Sequence, residues 1–396
     1  MAHQEGGFDR RKLAVITLGH FLNDFHVSFL APLLPLIVTK FQLSLALAGF
    51  LATVQSASAA MSQPLFGVIA DRLPRCIFIA LGPTLTMAAM GLFGLAPSYQ
   101  TLLVLLLIAG LGTAIFHPQG AGMAGTVARA RRGLGISIFI AAGEMGFALG
   151  PVTIATLVAW RGLGATIYAV VPGLVLVLFV WRAALAWPPT PTAGARGLGA
   201  DLRPHLWPLF VIWVIVVMRN IVSSAFMTFL PLVLRERGAS VVAGGAALFL
   251  YAGVGALGGL SGGYLTDRLG RRGVLVASFL VGAPLLWGFL WLRGPLSFLF
   301  LALGGMAYFA SATVSLVMAQ ELLPGRASMA SSIVMGLAWG VGGLMMTPIG
   351  AIADVAGLTT ALAGAVAVAL LPAVGILAVP SLVPSAARPV GERARA

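Results

Sequence analysis

Twelve apolar runs, each long enough to cross a lipid bilayer, make up most of this chain and limit its fold more than any other feature. They lie near 13–38, 44–69, 77–96, 100–124, 134–159, 164–184, 206–234, 244–266, 274–292, 296–320, 327–350 and 359–380. A bilayer-spanning helix needs about 20 consecutive apolar residues. Charged side chains are only 9% of the 396 residues and hydrophobic ones 59%. A soluble domain carries about 25% charge, so a water-soluble fold is excluded. The 50 glycines suit closely packed membrane helices.

The net charge of +13 would suit nucleic acid if it were gathered in one patch, but it is dealt out to alternate loops. Eighteen of the 24 Lys and Arg residues fall on one side of the expected spans, among them Arg10, Arg11, Arg131, Arg182 and Arg388. Five fall on the other side (Lys40, Arg161, Arg235, Arg237, Arg293), and Arg219 alone lies inside a span. Short cytoplasmic loops hold the excess of Lys and Arg, which places both termini in the cytoplasm of a multi-pass protein of the cell membrane. An even number of spans is then required, and twelve satisfies it. Nucleic acid is excluded as a partner. The one cysteine, Cys76, rules out an internal disulfide framework and a multi-Cys metal site. The N-terminal run is too long for a signal peptide and lacks a small-residue cleavage site, so it reads as a retained first span.

The string GVIADRLPR at 67–75 recurs as GYLTDRLGRR at 263–272, 196 residues later. Each copy joins the end of one apolar run to the start of the next, so the chain is two similar halves. The polar stretch WPPTPTAGARGLGADLRPH at 187–205 falls between them and suits a flexible connector. The expected organisation is a cytoplasmic N-terminus (1–12), a six-helix bundle (13–184), a central cytoplasmic loop (185–205), a second six-helix bundle (206–380) and a cytoplasmic tail (381–396).

This plan resembles the major facilitator superfamily, whose signature between helices 2 and 3 is Gly, three residues, Asp-Arg, one residue, Gly-Arg and a basic residue. The second copy matches through Gly263, Asp267, Arg268, Gly270, Arg271 and Arg272. The first keeps Gly67, Asp71, Arg72 and Arg75 but carries Pro74 and Cys76 at the other positions. The strings GHFLNDF (19–25), IFHPQG (115–120), GEMGFALGP (143–151), AQELLPGR (319–326) and GLAWGVGGL (336–344) resemble the fosmidomycin resistance family of efflux transporters. Glu144 departs from the neutral residue expected there. The resemblance implies an all-α membrane protein of twelve helices in two pseudo-symmetric bundles. It further implies that the Asp-Arg turns latch one conformational state, with Glu321 and Arg326 joining the network. The intact Asp267 turn is expected to matter more than the Asp71 turn.

A charged residue in mid-membrane costs at least ~2.5–3.5 kcal/mol on insertion scales, so it usually faces a cavity or a partner. Asp24 on helix 1 and Glu144 on helix 5 are the expected proton-coupling carboxyls. His20 precedes Asp24 by four residues on the same helix face and joins them. The 196-residue offset carries Asn23 and Asp24 onto Arg219 and Asn220 of helix 7. Transporters bind substrate near the midplane between repeats, so Asp24 and Arg219 are expected to face one cavity and to pair. Pairing would weaken Asp24 as the proton carrier in favour of Glu144. Alternatively Arg219 holds an anionic substrate group, since guanidinium matches carboxylate and phosphate. Asn23, Arg219, Asn220, His117, Phe116 and Gln55 form the candidate substrate-binding set, while His26 reads as packing or lipid-interface. Pro118 is expected to kink helix 4. No His, Asp or Glu spacing resembles a metal site.

Gly146, Gly150 and Pro151 on helix 5, with Gly340 and Gly343 on helix 11, are expected helix-packing positions, because small residues four apart let helices approach. No phosphate-cradling loop with a Lys appears, so ATP drive is not expected, nor is any cofactor. An enzyme reading has no nucleophile–base constellation behind it. The expected function is proton-coupled efflux of a small organic compound or drug by a monomeric secondary transporter. Metabolite uptake or facilitated transport in the same fold stays open, as does a non-transporting receptor or scaffold.

Overall fold

In lipid every backbone N–H and C=O must find its partner inside the protein, and a run of twenty or more apolar residues does so as a helix. The computed structural model, which describes residues 8–72, 76–128, 131–187, 203–323 and 336–378, is all-helical. Twelve helices among these residues are long and apolar enough to cross a membrane. They are α1 (Arg10–Phe41), α2 (Leu45–Ala70), α3 (Phe78–Leu95), α4 (Tyr99–Val127), α5 (Leu134–Arg161) and α6 (Leu163–Ala186). There follow α7 (His205–Glu236), α8 (Val241–Thr266), α9 (Arg268–Trp291), α10 (Pro295–Leu322), α11 (Ala338–Ala356) and α12 (Leu358–Leu377). The expected central loop and C-terminal tail lie almost wholly outside the described residues.

The expected runs and the observed helices agree to within a few residues at most ends. α11 runs six residues past its expected end, to Ala356, where Gly357 takes φ 84° and turns the chain directly into α12. Left-handed φ of this kind is what glycine permits at a helix C-terminus. Gly270 in the repeated turn also takes positive φ, 69°, near the start of α9.

α1 is irregular at Ser28 and Phe29. Both residues keep right-handed helical φ and ψ, but the Phe29 N–H bonds to the His26 carbonyl, three residues back, at 3.1 Å. The cause lies downstream: the Pro32 ring has no N–H to donate to the Ser28 carbonyl and crowds it. Pro118, by contrast, lies inside α4 without ending it.

The chain forms two compact units. The first holds residues 1–198 together with 226–253 and 343–358, and the second holds 199–225, 254–342 and 359–396. Within the first unit α1 lies along α5, while α2 and α3 both pack on α4. Gly146 and Gly150 let α5 sit directly on the backbone of α1: a Cβ on either would strike the carbonyl of Phe21 or Phe25. Pro151, one residue on, presents its carbonyl to Gly245 of α8.

The same unit seats the C-terminal part of α11 on α2. Gly49 of α2 lies against the Met346 backbone, Gly350 of α11 against the Leu45 backbone, and Gly343 against Ser56. At the N-terminus of α2, Ser44 Oγ accepts from the Leu47 N–H at 3.2 Å. The Asp354 carboxylate accepts from the Leu45 and Ala46 N–H groups at 2.7 and 2.9 Å. Three of the four N–H groups that a helix start leaves unpaired are thereby satisfied. One is met locally, the other two by an acid more than 300 residues away.

In the second unit Gly340 is buried. Arg271 forms a two-pronged pair with Glu321. Arg272 donates to the Leu377 carbonyl at 3.3 Å, and Arg268 to the Tyr264 hydroxyl at 2.7 Å.

Candidate functional site

Buried polar side chains are few among the described residues of the first unit, and four of them, His20, Asn23, Thr86 and Thr113, gather around Asp24. His20 and Asp24 share a face of α1, one turn apart, and α4 delivers His117 to the same point. His20 Nε2 lies 3.2 Å from Asp24 Oδ2, and His117 Nε2 lies 3.7 Å from Asp24 Oδ1. The two Nε2 atoms are 3.2 Å apart.

The outer face of each ring is fixed by the backbone. His20 Nδ1 donates to the Phe139 carbonyl at 2.7 Å, and His117 Nδ1 to the Thr113 carbonyl at 2.9 Å. A carbonyl only accepts, so each Nδ1 carries the hydrogen and each neutral ring turns a bare Nε2 inward. Two bare nitrogens at 3.2 Å repel. The contact becomes a hydrogen bond only when one further proton enters, and the Asp24 carboxylate beside it supplies the balancing charge.

The surroundings hold this geometry. His20 is buried and stacks on Phe139 at 3.9 Å between ring centroids. Gly143 of α5 makes room for it, since a Cβ there would collide with the imidazole. We expect Gly143→Ala to push His20 off Asp24 and to reduce transport as far as His20→Gln does. Overpacking of this kind costs about 1–3 kcal/mol. Transport assays on the two variants side by side check it, and wild-type transport in Gly143→Ala would refute it.

Asn23 corrects its sequence-based assignment. It is fully buried, and its amide is consumed within the protein. Its Nδ2 donates to Asp24 Oδ1 at 2.9 Å and to Thr113 Oγ1 at 3.3 Å, and its Oδ1 accepts from Thr86 at 2.9 Å. It positions Asp24 and has nothing left for a substrate. Phe116 likewise is fully buried, 5.5 Å from the His20 ring, and forms wall rather than cavity lining. Gln55 donates to the Val27 carbonyl at 3.1 Å, beside the irregular turn in α1. His26 is buried and bonded to the Leu22 carbonyl at 2.7 Å, which makes it a packing residue.

Glu144 is exposed rather than buried, yet acts electrostatically on His20. Within its own unit Asp24 is partnered by His20, His117 and Asn23. Arg219 and Asn220 are buried in the second unit, where the guanidinium donates to the side-chain Oδ1 of Asn220 at 3.3 Å.

Of the expected latch residues, Arg75 and Arg326 and the side chains of Asp71, Arg72 and Asp267 lie outside the described residues. Gly67 is half-buried and Gly263 exposed. Glu321 is engaged by Arg271 inside the second unit, so this pair braces the turn to α10.

Sequence spacing found no metal-type arrangement, because it compared neighbours along the chain. Folding brings together His20, Asp24 and His117, a set of ligand-type side chains assembled across 97 residues. Asp354 and Gly143 were missed as well. A search for acids near the ends of apolar runs would have found the first. Nothing in the sequence marks the second.

The Major Facilitator Superfamily model matches residues 16–347. An uncharacterized MFS-type transporter of Bacillus subtilis, YfnC, is 31% identical over 378 residues, covering 92% of this chain and 91% of the relative. The fosmidomycin resistance protein of Escherichia coli is 29% identical over 356 residues and 86% of each chain. Among solved structures, a bacterial homolog of the human lysosomal transporter Spinster, inward-facing and occupied, superposes with a TM-score of 0.77 at 16% identity, over 95% of this chain and 96% of that one. The inward-open xylose transporter XylE of E. coli gives 0.75 at 14% identity, over 96% and 97%.

Proposed function

The chain belongs to the Major Facilitator Superfamily and is a multi-pass membrane transporter of small molecules, and from that premise we propose that it exports a small organic compound in exchange for protons. The observation that carries this is the His20–Asp24–His117 cluster, whose two inward nitrogens, 3.2 Å apart, call for one shared proton beside a carboxylate. A group that binds one proton inside a membrane span is what coupling to a proton gradient requires. Glu144, exposed on α5 next to the Gly143 that packs on His20, is the residue we assign as relay to the cluster. Export is favoured by the relative named for fosmidomycin resistance. The distribution of Lys and Arg over the loops supports cytoplasmic termini.

Arg219 and Asn220 are the substrate-binding candidates that keep their role. A buried guanidinium in a span is costly unless used, and its fork suits a carboxylate or phosphonate. We expect Arg219→Ala to give a folded protein that loses transport of anionic substrates at least about tenfold, about 1.4 kcal/mol, and keeps transport of neutral ones. Loss of the folded protein would make Arg219 structural instead.

The deciding experiment uses inverted vesicles with an imposed pH gradient, screened against phosphonates, other anions and cationic dyes. Substrate moving against the proton flux supports antiport. Movement with the proton flux would reverse the direction, and no movement under any gradient would leave a non-transporting scaffold.

A further inference from the structure

We propose that the His20–Asp24–His117 cluster also binds a divalent transition-metal ion of the zinc class, which competes with the proton for the site. The competition rests on the proton reading above; the binding does not.

Zinc bonds nitrogen at about 2.0–2.1 Å and carboxylate oxygen at about 2.0–2.2 Å, usually in tetrahedral array. Two ligand atoms on such an ion sit about 3.3 Å apart. The Nε2 atoms are 3.2 Å apart, His20 Nε2 lies 3.2 Å from Asp24 Oδ2 and His117 Nε2 lies 3.7 Å from Asp24 Oδ1, so the two histidines face different oxygens of one carboxylate. One ligand atom from each of the three side chains lies within 4.8 Å of the others, so an ion fits between them once the carboxylate turns one oxygen inward or chelates with both.

The outer bonds support the same ligand set. Metal-ligating histidines donate their second ring N–H to a carbonyl or carboxylate, which fixes the tautomer that faces the metal. Both histidines do this, through Phe139 and Thr113, and Asn23 holds the carboxylate. Two imidazoles and one carboxylate suit Zn²⁺, Co²⁺ or Ni²⁺ and disfavour Mg²⁺ and Ca²⁺, which take oxygen ligands. Three protein ligands leave a fourth position for water.

Charge balance sets the consequence. The ion needs both Nε2 lone pairs, so its arrival releases the proton held between the rings. Metal-bound protein cannot carry that proton, and coupled transport stops.

The test uses untagged full-length protein, stripped with EDTA and titrated with Zn²⁺ by calorimetry and with Co²⁺ by visible absorption. We expect one saturable site, cobalt bands of low coordination number and no competition from excess Mg²⁺. His117→Gln should weaken binding at least about tenfold, the scale on which metal-site losses are measured. His205→Gln, elsewhere on α7, should leave it unchanged. A His20→Gln/His117→Gln protein that elutes as folded yet binds as wild type would overturn the site, as would the lack of saturable binding.

In proteoliposomes, gradient-driven transport should persist in EDTA and fall as Zn²⁺ is added. Full transport at saturating Zn²⁺ would overturn the competition. The two proposals fail separately. Zinc binding with proton-independent transport sinks the proton reading alone, and proton-driven transport without zinc binding sinks the metal site alone.

Discussion

Asp24→Asn abolishes gradient-driven transport and leaves a stably folded protein. Asparagine has the same shape, so its carbonyl oxygen still accepts from Asn23 Nδ2, a bond of 2.9 Å in the native chain. Its amide can then donate to His20 Nε2, a bare acceptor because Nδ1 is committed to the Phe139 carbonyl. The cluster is satisfied while neutral and no longer needs the extra proton. A hydrogen bond to a charged group contributes about 1.5–3 kcal/mol, so losing it weakens proton uptake roughly ten- to hundredfold. Substrate binding, which we assign to Arg219 and Asn220, should survive. Binding is measured by calorimetry and coupling by substrate flux under an imposed gradient. Proton-driven flux within about twofold of wild type, beyond the few tenths of a kcal/mol that divide neutral variants, would remove Asp24 from the mechanism.

Gly350→Val is expected to cause a large loss of stability. A side chain at Gly350 meets the backbone of Leu45 and Ala46, and neither can rotate aside as a flexible side chain would. The α2–α11 seam has to part, which costs about 1–3 kcal/mol or more. Gly49→Val attacks the same crossing from α2, against the Met346 backbone. Once the seam is open, the second substitution adds little, so the pair should be less than additive. Asp354→Ala should cost about 1 kcal/mol, the usual loss on removing a helix cap. Gly364→Ala on α12, where a Cβ has open space, is the control and should be neutral. Thermal unfolding in detergent ranks the four. Equal midpoints for Gly350→Val and Gly364→Ala would show that the seam does not carry the stability assigned to it.

The spans were legible because bilayer thickness imposes a length on apolar runs, and that length survives without any tertiary knowledge. The pairing of His20 with Asp24 was legible too, since four residues along a helix is a local distance. His117 joined them only through the contact of α1 with α4, which no pattern in either helix announces. Asn23 went the other way. Its position beside Asp24 suggested a cavity, but Thr86 and Thr113, on two other helices, close over it. The irregular turn in α1 was readable from Pro32, whose steric effect reaches back four residues, and it passed unread because the apolar run continues through it.

The Asp354 cap has a bearing on how this sequence can drift. Its partners are main-chain N–H groups, which every residue but proline carries. Positions 45 and 46 can therefore exchange side chains freely while the acid stays fixed, so no compensating change would ever accompany its loss. Proline is ordinarily welcome in the first turn of a helix, and here it would silence one of the two donors. Saturation mutagenesis should record a solitary intolerant acid opposite two permissive sites that reject a single residue.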